Sequence, residues 1–205
     1  MVRILKKRWI ISLLLAGLLI SGCGKKDDSE QGQETVQEVD VNQILDDSND
    51  GGEIELSDME VLKGFLPTEL TGMQLKDSAV ELSQIQDIDI IRAEADYVAD
   101  SGGGIVNVTI IDGARLDGIA KLALTVWTLK DFNRENANGY ERSIEYNGYK
   151  GMEKYDNNNR DGVFRVYVAE RFIVEVEGNQ VDMDTIKEAV DKIDIKKLAA
   201  LASGS

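Results

Sequence analysis

The chain has 205 residues, with 38 Asp and Glu against 23 Lys and Arg, a single cysteine and no histidine. The lack of histidine excludes Ser-His-Asp and Cys-His catalysis and removes the commonest transition-metal ligand. One cysteine excludes an internal disulfide, and a formal net charge of −15 argues against nucleic acid as a partner, since phosphates would repel it.

Residues 1–22 read as a leader. A basic head (Arg3, Lys6, Lys7, Arg8) precedes an apolar run from Trp9 to Ile20 and then small residues, the layout of a secretory signal peptide. The run falls short of the ~20 residues wanted to span a bilayer. A plain secretory signal and a retained anchor stay open as alternatives. The segment Ile20-Ser21-Gly22-Cys23 resembles a bacterial lipobox: an aliphatic residue, two small residues and a cysteine. The resemblance implies that the Cys23 thiol receives a diacylglyceryl group and that cleavage before it makes Cys23 the new N-terminus. It therefore implies a lipoprotein of the bacterial cell envelope, membrane-anchored through its lipid and facing away from the cytoplasm. In a Gram-negative host that means the outer membrane or cell surface; in a Gram-positive host, the outer face of the plasma membrane. Two or three acyl chains, at ~0.8 kcal/mol per buried methylene, hold a protein stably where one does not.

The leader carries four basic residues and no acid, so the chain from Cys23 has net charge −19 over 183 residues. Such a domain is repelled by anionic lipid heads and stands off the membrane. Residues 23–58 are expected to be the lipidated N-terminus followed by an acidic, disordered tether. Ten acids, two lysines and no aromatic residue between 24 and 53 offer too little apolar surface to offset chain entropy. Val36, Val39, Val41, Ile44 and Leu45 suggest at most a transient helical turn. As a coil this stretch would reach roughly 30 Å.

Residues 59–202 are expected to form a single globular domain. The opening stretch, 59–82, holds the only proline, Pro67, and shows no clear period. From 89 to 99 a period of two predicts a half-buried strand. The loop Asp100-Ser101-Gly102-Gly103-Gly104 leads to a second strand over 105–111. Leu116, Ile119, Ala120, Ala123 and Trp127 share one helical stripe, which predicts a helix with Trp127 in the core. Asn147-Gly148 between alternating runs predicts a two-residue hairpin, since a type I′ turn needs positive φ at both positions. That loop fixes the register: Tyr140 faces Tyr155, Arg142 faces Glu153 and Tyr146 faces Tyr149 on one side of the ribbon. Glu141 and Lys154 pair on the other side, as do Glu145 and Lys150. Two more strands follow over 163–169 and 172–177. A helix then carries Met183, Ile186, Val190 and Ile193 on one face, with Asp182 or Asp184 as N-cap, and a short helix or turn covers 195–201.

These elements predict an α+β fold: an antiparallel sheet of about six strands with helices covering one face, in the order β-β-α-β-β-β-β-α. That order is similar to the PsbP/DcrB-like group of small envelope and lumenal domains.

Three constellations invite a chemical reading. Residues 156–162 (Asp-Asn-Asn-Asn-Arg-Asp-Gly) have the flavour of a calcium loop, but the twelfth position from Asn157 is Val168 where a bidentate glutamate is needed, so a hairpin loop is expected. Gly102-Gly103-Gly104 lacks the Gly-Lys-Ser/Thr ending of a phosphate loop. Paired carboxylates for glycoside hydrolysis have no diagnostic spacing here, and most acids sit on solvated positions. The ribbon face bearing Tyr140, Arg142, Tyr146, Tyr149, Glu153 and Tyr155 is either core with a semi-buried ion pair or a tyrosine-rich binding face. The sequence therefore predicts a non-catalytic binding or accessory module with no cofactor and no metal site. Its expected partners are the membrane, through the lipid on Cys23, and an unidentified envelope protein or small ligand. The alternative is a carboxylate-dependent hydrolase acting on cell-wall glycans.

Overall fold

The structure, a computed structural model, describes residues 56–85, 88–116, 121 and 125–203. The leader, Cys23 and the tether up to residue 55 lie outside the described residues, as does most of the helix expected over 116–127.

Eight strands form one antiparallel sheet: β1 (Met73–Ile85), β2 (Ile88–Ala99), β3 (Ile105–Asp112), β4 (Asn133–Asn136), β5 (Gly139–Tyr146), β6 (Tyr149–Asp156), β7 (Asp161–Val168) and β8 (Phe172–Asn179). Their spatial order is β1-β2-β3-β8-β7-β6-β5-β4. Two meanders are thus joined along one seam, β3 against β8. Three helices complete the described fold: α1 (Met59–Lys63), α2 (Met183–Asp191) and α3 (Ile195–Ser203).

The antiparallel sheet with helices agrees with expectation; the strand count and order do not. There are eight strands, not about six, and the two additional ones are the edges. In β1 the register shifts between Leu75 and Asp77, so Lys76 is an extra residue and the alternation breaks there. Most of its side chains are exposed, which erases the apolar period that would betray a strand. The other edge, β4, reads Asn-Arg-Glu-Asn and is wholly exposed. Only its pairing with β5 makes it a strand.

The β5–β6 register is the one that Asn147-Gly148 dictates, from Gly139 opposite Asp156 to Tyr146 opposite Tyr149. Asn147 and Gly148 take φ of 52° and 82°. The loop after β6 is a hairpin turn: Asp156 accepts from the Asn158 and Asn159 backbone amides at 2.8 and 3.3 Å. Those bonds hold its carboxyl below the ordinary range.

The main core lies on one face of the sheet. Alternate residues of the central strands supply it: Ala93, Ala95 and Tyr97 from β2, Val106, Val108 and Ile110 from β3, Phe172, Val174 and Val176 from β8, and Phe164, Val166 and Val168 from β7. Above them α1 packs on β1 and β2, α2 on β7 and β8, and α3 on β7. Met183, Ile186, Ala189 and Val190 are the buried stripe of α2, and burial of a side chain such as Ile186 contributes about 1.5–3 kcal/mol. The Tyr97 hydroxyl donates to the Pro67 carbonyl, and burial, with Asp96 nearby, pushes its pKa up to about 12.

A buried ion pair closes one end of the sheet. Arg171, just before β8, donates to both oxygens of Asp112 at the end of β3, each at 2.8 Å. Asp112 also accepts from the Ser57 backbone amide at 2.7 Å, and Arg171 reaches the Ser57 hydroxyl at 3.2 Å. The start of the described chain is therefore tied to two central strands. Burial alone would raise the Asp112 pKa, but the bonds from Arg171 and Ser57 outweigh it and lower the value.

The opposite face of the sheet carries a smaller buried group, Ile90, Leu116, Met152 and Ile173. Trp127 lies in a 3-10 turn, Val126–Thr128, and is half-buried outside the main core, with the Arg165 guanidinium 5.9 Å from its ring centre.

Candidate functional site

Beyond the edge of α2, the covered face of the β5–β6 ribbon is only partly roofed. A cleft of about 380 Å³ opens there, with Ile144, Phe164 and Val190 as apolar lining. Arg142, Tyr146, Glu153, Lys187 and Asp191 supply its polar side chains, and Glu145 borders it from the reverse face of the ribbon. The cleft follows from register: Arg142, Ile144 and Tyr146 alternate inward along β5, with Glu153 and Gly151 opposite the first two. Lys187 and Asp191 stand one helical turn apart on α2, flanking the buried Val190.

Glu153 is the pivot. It is buried, and both its oxygens are engaged by cations. The Arg142 Nε donates to Oε1 at 2.6 Å, Nη2 binds the same oxygen, and Lys187 Nζ lies 3.0 Å from Oε2. The cations themselves remain 45% and 40% exposed, so they face the cleft and solvent while their shared anion does not. The bond to Glu153 raises the Arg142 pKa further above its usual value. Arg142 also lies 4.6 Å over the Tyr140 ring, a cation–π contact. At the other end of the cleft the Tyr146 hydroxyl donates to Asp191 at 2.6 Å, and its ring packs edge-on against Phe164. Burial, then that bond to Asp191, drives the Tyr146 pKa well above the phenol range.

The six residues singled out from the sequence do share one face of the ribbon. Three of them, Arg142, Tyr146 and Glu153, line the cleft. Tyr140 and Tyr155 form a tilted pair with ring centres 6.3 Å apart, and the Tyr155 hydroxyl donates to the Val181 carbonyl at 2.9 Å. Tyr149 is half-buried against the main core and is not among the lining residues. The face is thus neither fully core nor fully open. Sequence reasoning missed Lys187 and Asp191, whose i,i+4 spacing beside the apolar stripe of α2 was the available signal.

A second cleft, of about 510 Å³ and more polar, lies at the end of the sheet between the glycine loop 102–104, Thr71, Arg160 and the start of α2. Arg160 there pairs with Asp182 at 2.9 Å. Among the described residues no three acid or cysteine side chains converge as a metal site, and no described helix is long and apolar enough to cross a membrane. Comparison with protein-family models, with curated proteins and with solved structures finds no match.

Proposed function

We propose that the chain is a lipid-anchored envelope protein of bacteria whose domain is a non-catalytic binding or accessory module. The leader and Cys23 support the anchorage. One observation carries the binding reading: the cleft beside α2, where half-exposed cations, a tyrosine and apolar side chains meet over a buried carboxylate. Polar groups placed around an apolar floor fix the orientation of a small ligand.

Two tests address the two halves of this reading. Metabolic labelling with a fatty-acid analogue should mark the wild type and not Cys23→Ala; equal label on both rejects the anchorage. For the domain, a photo-crosslinking amino acid at position 144, on the cleft floor, should trap a discrete adduct in intact cells. The same group at exposed position 77, on the edge strand, should not. Equal trapping at both positions, or none at 144, rejects the cleft as the binding site.

The alternative, a hydrolase of cell-wall glycans, draws on the two carboxylates that face the cleft, Glu153 and Asp191. Their engagement favours the binding reading: both Glu153 oxygens are held by cations, and Asp191 accepts from Tyr146. Release of soluble glycan fragments from peptidoglycan by the wild type, lost in Glu153→Gln, would reverse the choice.

A further inference from the structure

The cleft has a direction. Arg142 and Lys187 stand at one end, Tyr146 and Asp191 at the other, because β5 and α2 carry these pairs in matching sequence order along its two walls. The floor between them is apolar: Ile144, Phe164 and Val190.

Donors remain at the cationic end. Arg142 uses Nε and Nη2 on a single oxygen of Glu153, and Lys187 uses one of its three N–H groups on the other. At the far end the Tyr146 hydroxyl occupies Oδ1 of Asp191, which leaves the second oxygen. The four charged side chains that face the cleft, Arg142, Lys187, Glu153 and Asp191, sum to zero, and the chain is strongly acidic, so a simple anion is disfavoured. A ligand carrying one charge of each sign, with an apolar body between, matches the arrangement.

The spacing selects among such ligands. From Lys187 to Asp191 the helix advances about 6 Å. Two residues of extended peptide span roughly 7 Å, whereas a single amino acid holds its two charges on one carbon. A volume of about 380 Å³ lies at the small end of ligand sites.

We propose that this cleft binds a short apolar peptide with both ends free, its carboxylate on Arg142 and Lys187 and its ammonium on Asp191. The proposal rests on the binding reading above and names its ligand class. The α-amine, with a pKa near 7.7–8.0 in the free peptide, carries its charge at neutral pH.

The test uses the full chain in detergent and four probes: leucyl-leucine, its N-acetyl form, its C-terminal amide and free leucine, each titrated by calorimetry. Leucyl-leucine is expected to bind at least tenfold more tightly than any of the other three. Asp191→Asn should abolish the preference over the acetylated form only. Lys187→Gln should abolish the preference over the amide only, with Glu153 still paired to Arg142. Circular dichroism of both variants verifies the fold, and each change lies on an exposed or half-exposed helix position. Equal affinity for free and blocked peptides, or no heat from leucyl-leucine at millimolar concentration, overturns the proposal. If the crosslinker at position 144 traps a partner while leucyl-leucine gives no heat, the peptide proposal falls and the binding reading stands. Failure of both removes the reading itself.

Discussion

Arg142 and Glu153 stand directly opposite each other across the β5–β6 pair, yet only the carboxylate is buried. Lys187 reaches the same carboxylate from α2, so the buried anion has two cations and either one suffices to compensate it.

That redundancy makes a non-additive pair. Arg142→Ala or Lys187→Ala alone should cost about 1 kcal/mol or less, because both cations are half-exposed and screened by water. The double variant leaves Glu153 buried without a counter-charge and should cost about 3–5 kcal/mol, more than the two single values together. Urea denaturation of the four proteins measures the coupling.

Asp112 sets an acid limit. Its folded pKa is depressed, so its contribution is complete above the unfolded carboxylate value of ~3.9 and is lost as pH falls through the lower folded value. The wild type should therefore lose stability between pH 5 and about pH 2 more steeply than Asp112→Asn. Denaturation midpoints across that window check it. At neutral pH Asp112→Ala should cost about 3–5 kcal/mol, since it strands the buried Arg171 guanidinium.

Two glycines should fail for different reasons. A Cβ at Gly148 meets nothing within 4 Å, so Gly148→Ala pays only for its φ of 82°, about 1–2 kcal/mol. At Gly178 a Cβ would approach Val181 and Ile186 at 2.5 and 2.6 Å, an overpacking cost of about 1–3 kcal/mol. Ile186→Ala should partly relieve Gly178→Ala and leave Gly148→Ala unaffected. Thermal unfolding of the double variants distinguishes the two cases.

Ala169 and Glu170, in the turn between β7 and β8, take φ of 51° and 54°, where a side chain is strained. Ala169→Gly should raise stability by about 0.5–1 kcal/mol, and an unchanged or lower midpoint would contradict it.

Much of the sheet was legible where a local device declared it. Asn147-Gly148 set the β5–β6 register to the residue, and alternation marked β2, β3, β7 and β8. The edge strands escaped for a physical reason. Lys76 sits in a bulge that inverts the alternation of β1, and β4 buries nothing, so neither writes a period into the sequence. The cleft was half legible: ribbon register placed Arg142, Tyr146 and Glu153 together, but nothing local says that α2 lies across them. That requires the β8–α2 connection to fold back over β7, a tertiary fact.

The knot of contacts around Ser57 has a mechanical consequence. Tension on the chain ahead of Leu56 would enter the domain through Asp112 and Arg171, at the ends of the two strands that form the seam between the meanders. Load applied there is shared by the middle of the sheet, whereas the same pull on β1 would unzip an edge one hydrogen bond at a time. A pull delivered through the residues ahead of Leu56 would thus reach the middle of the sheet before either of its edges.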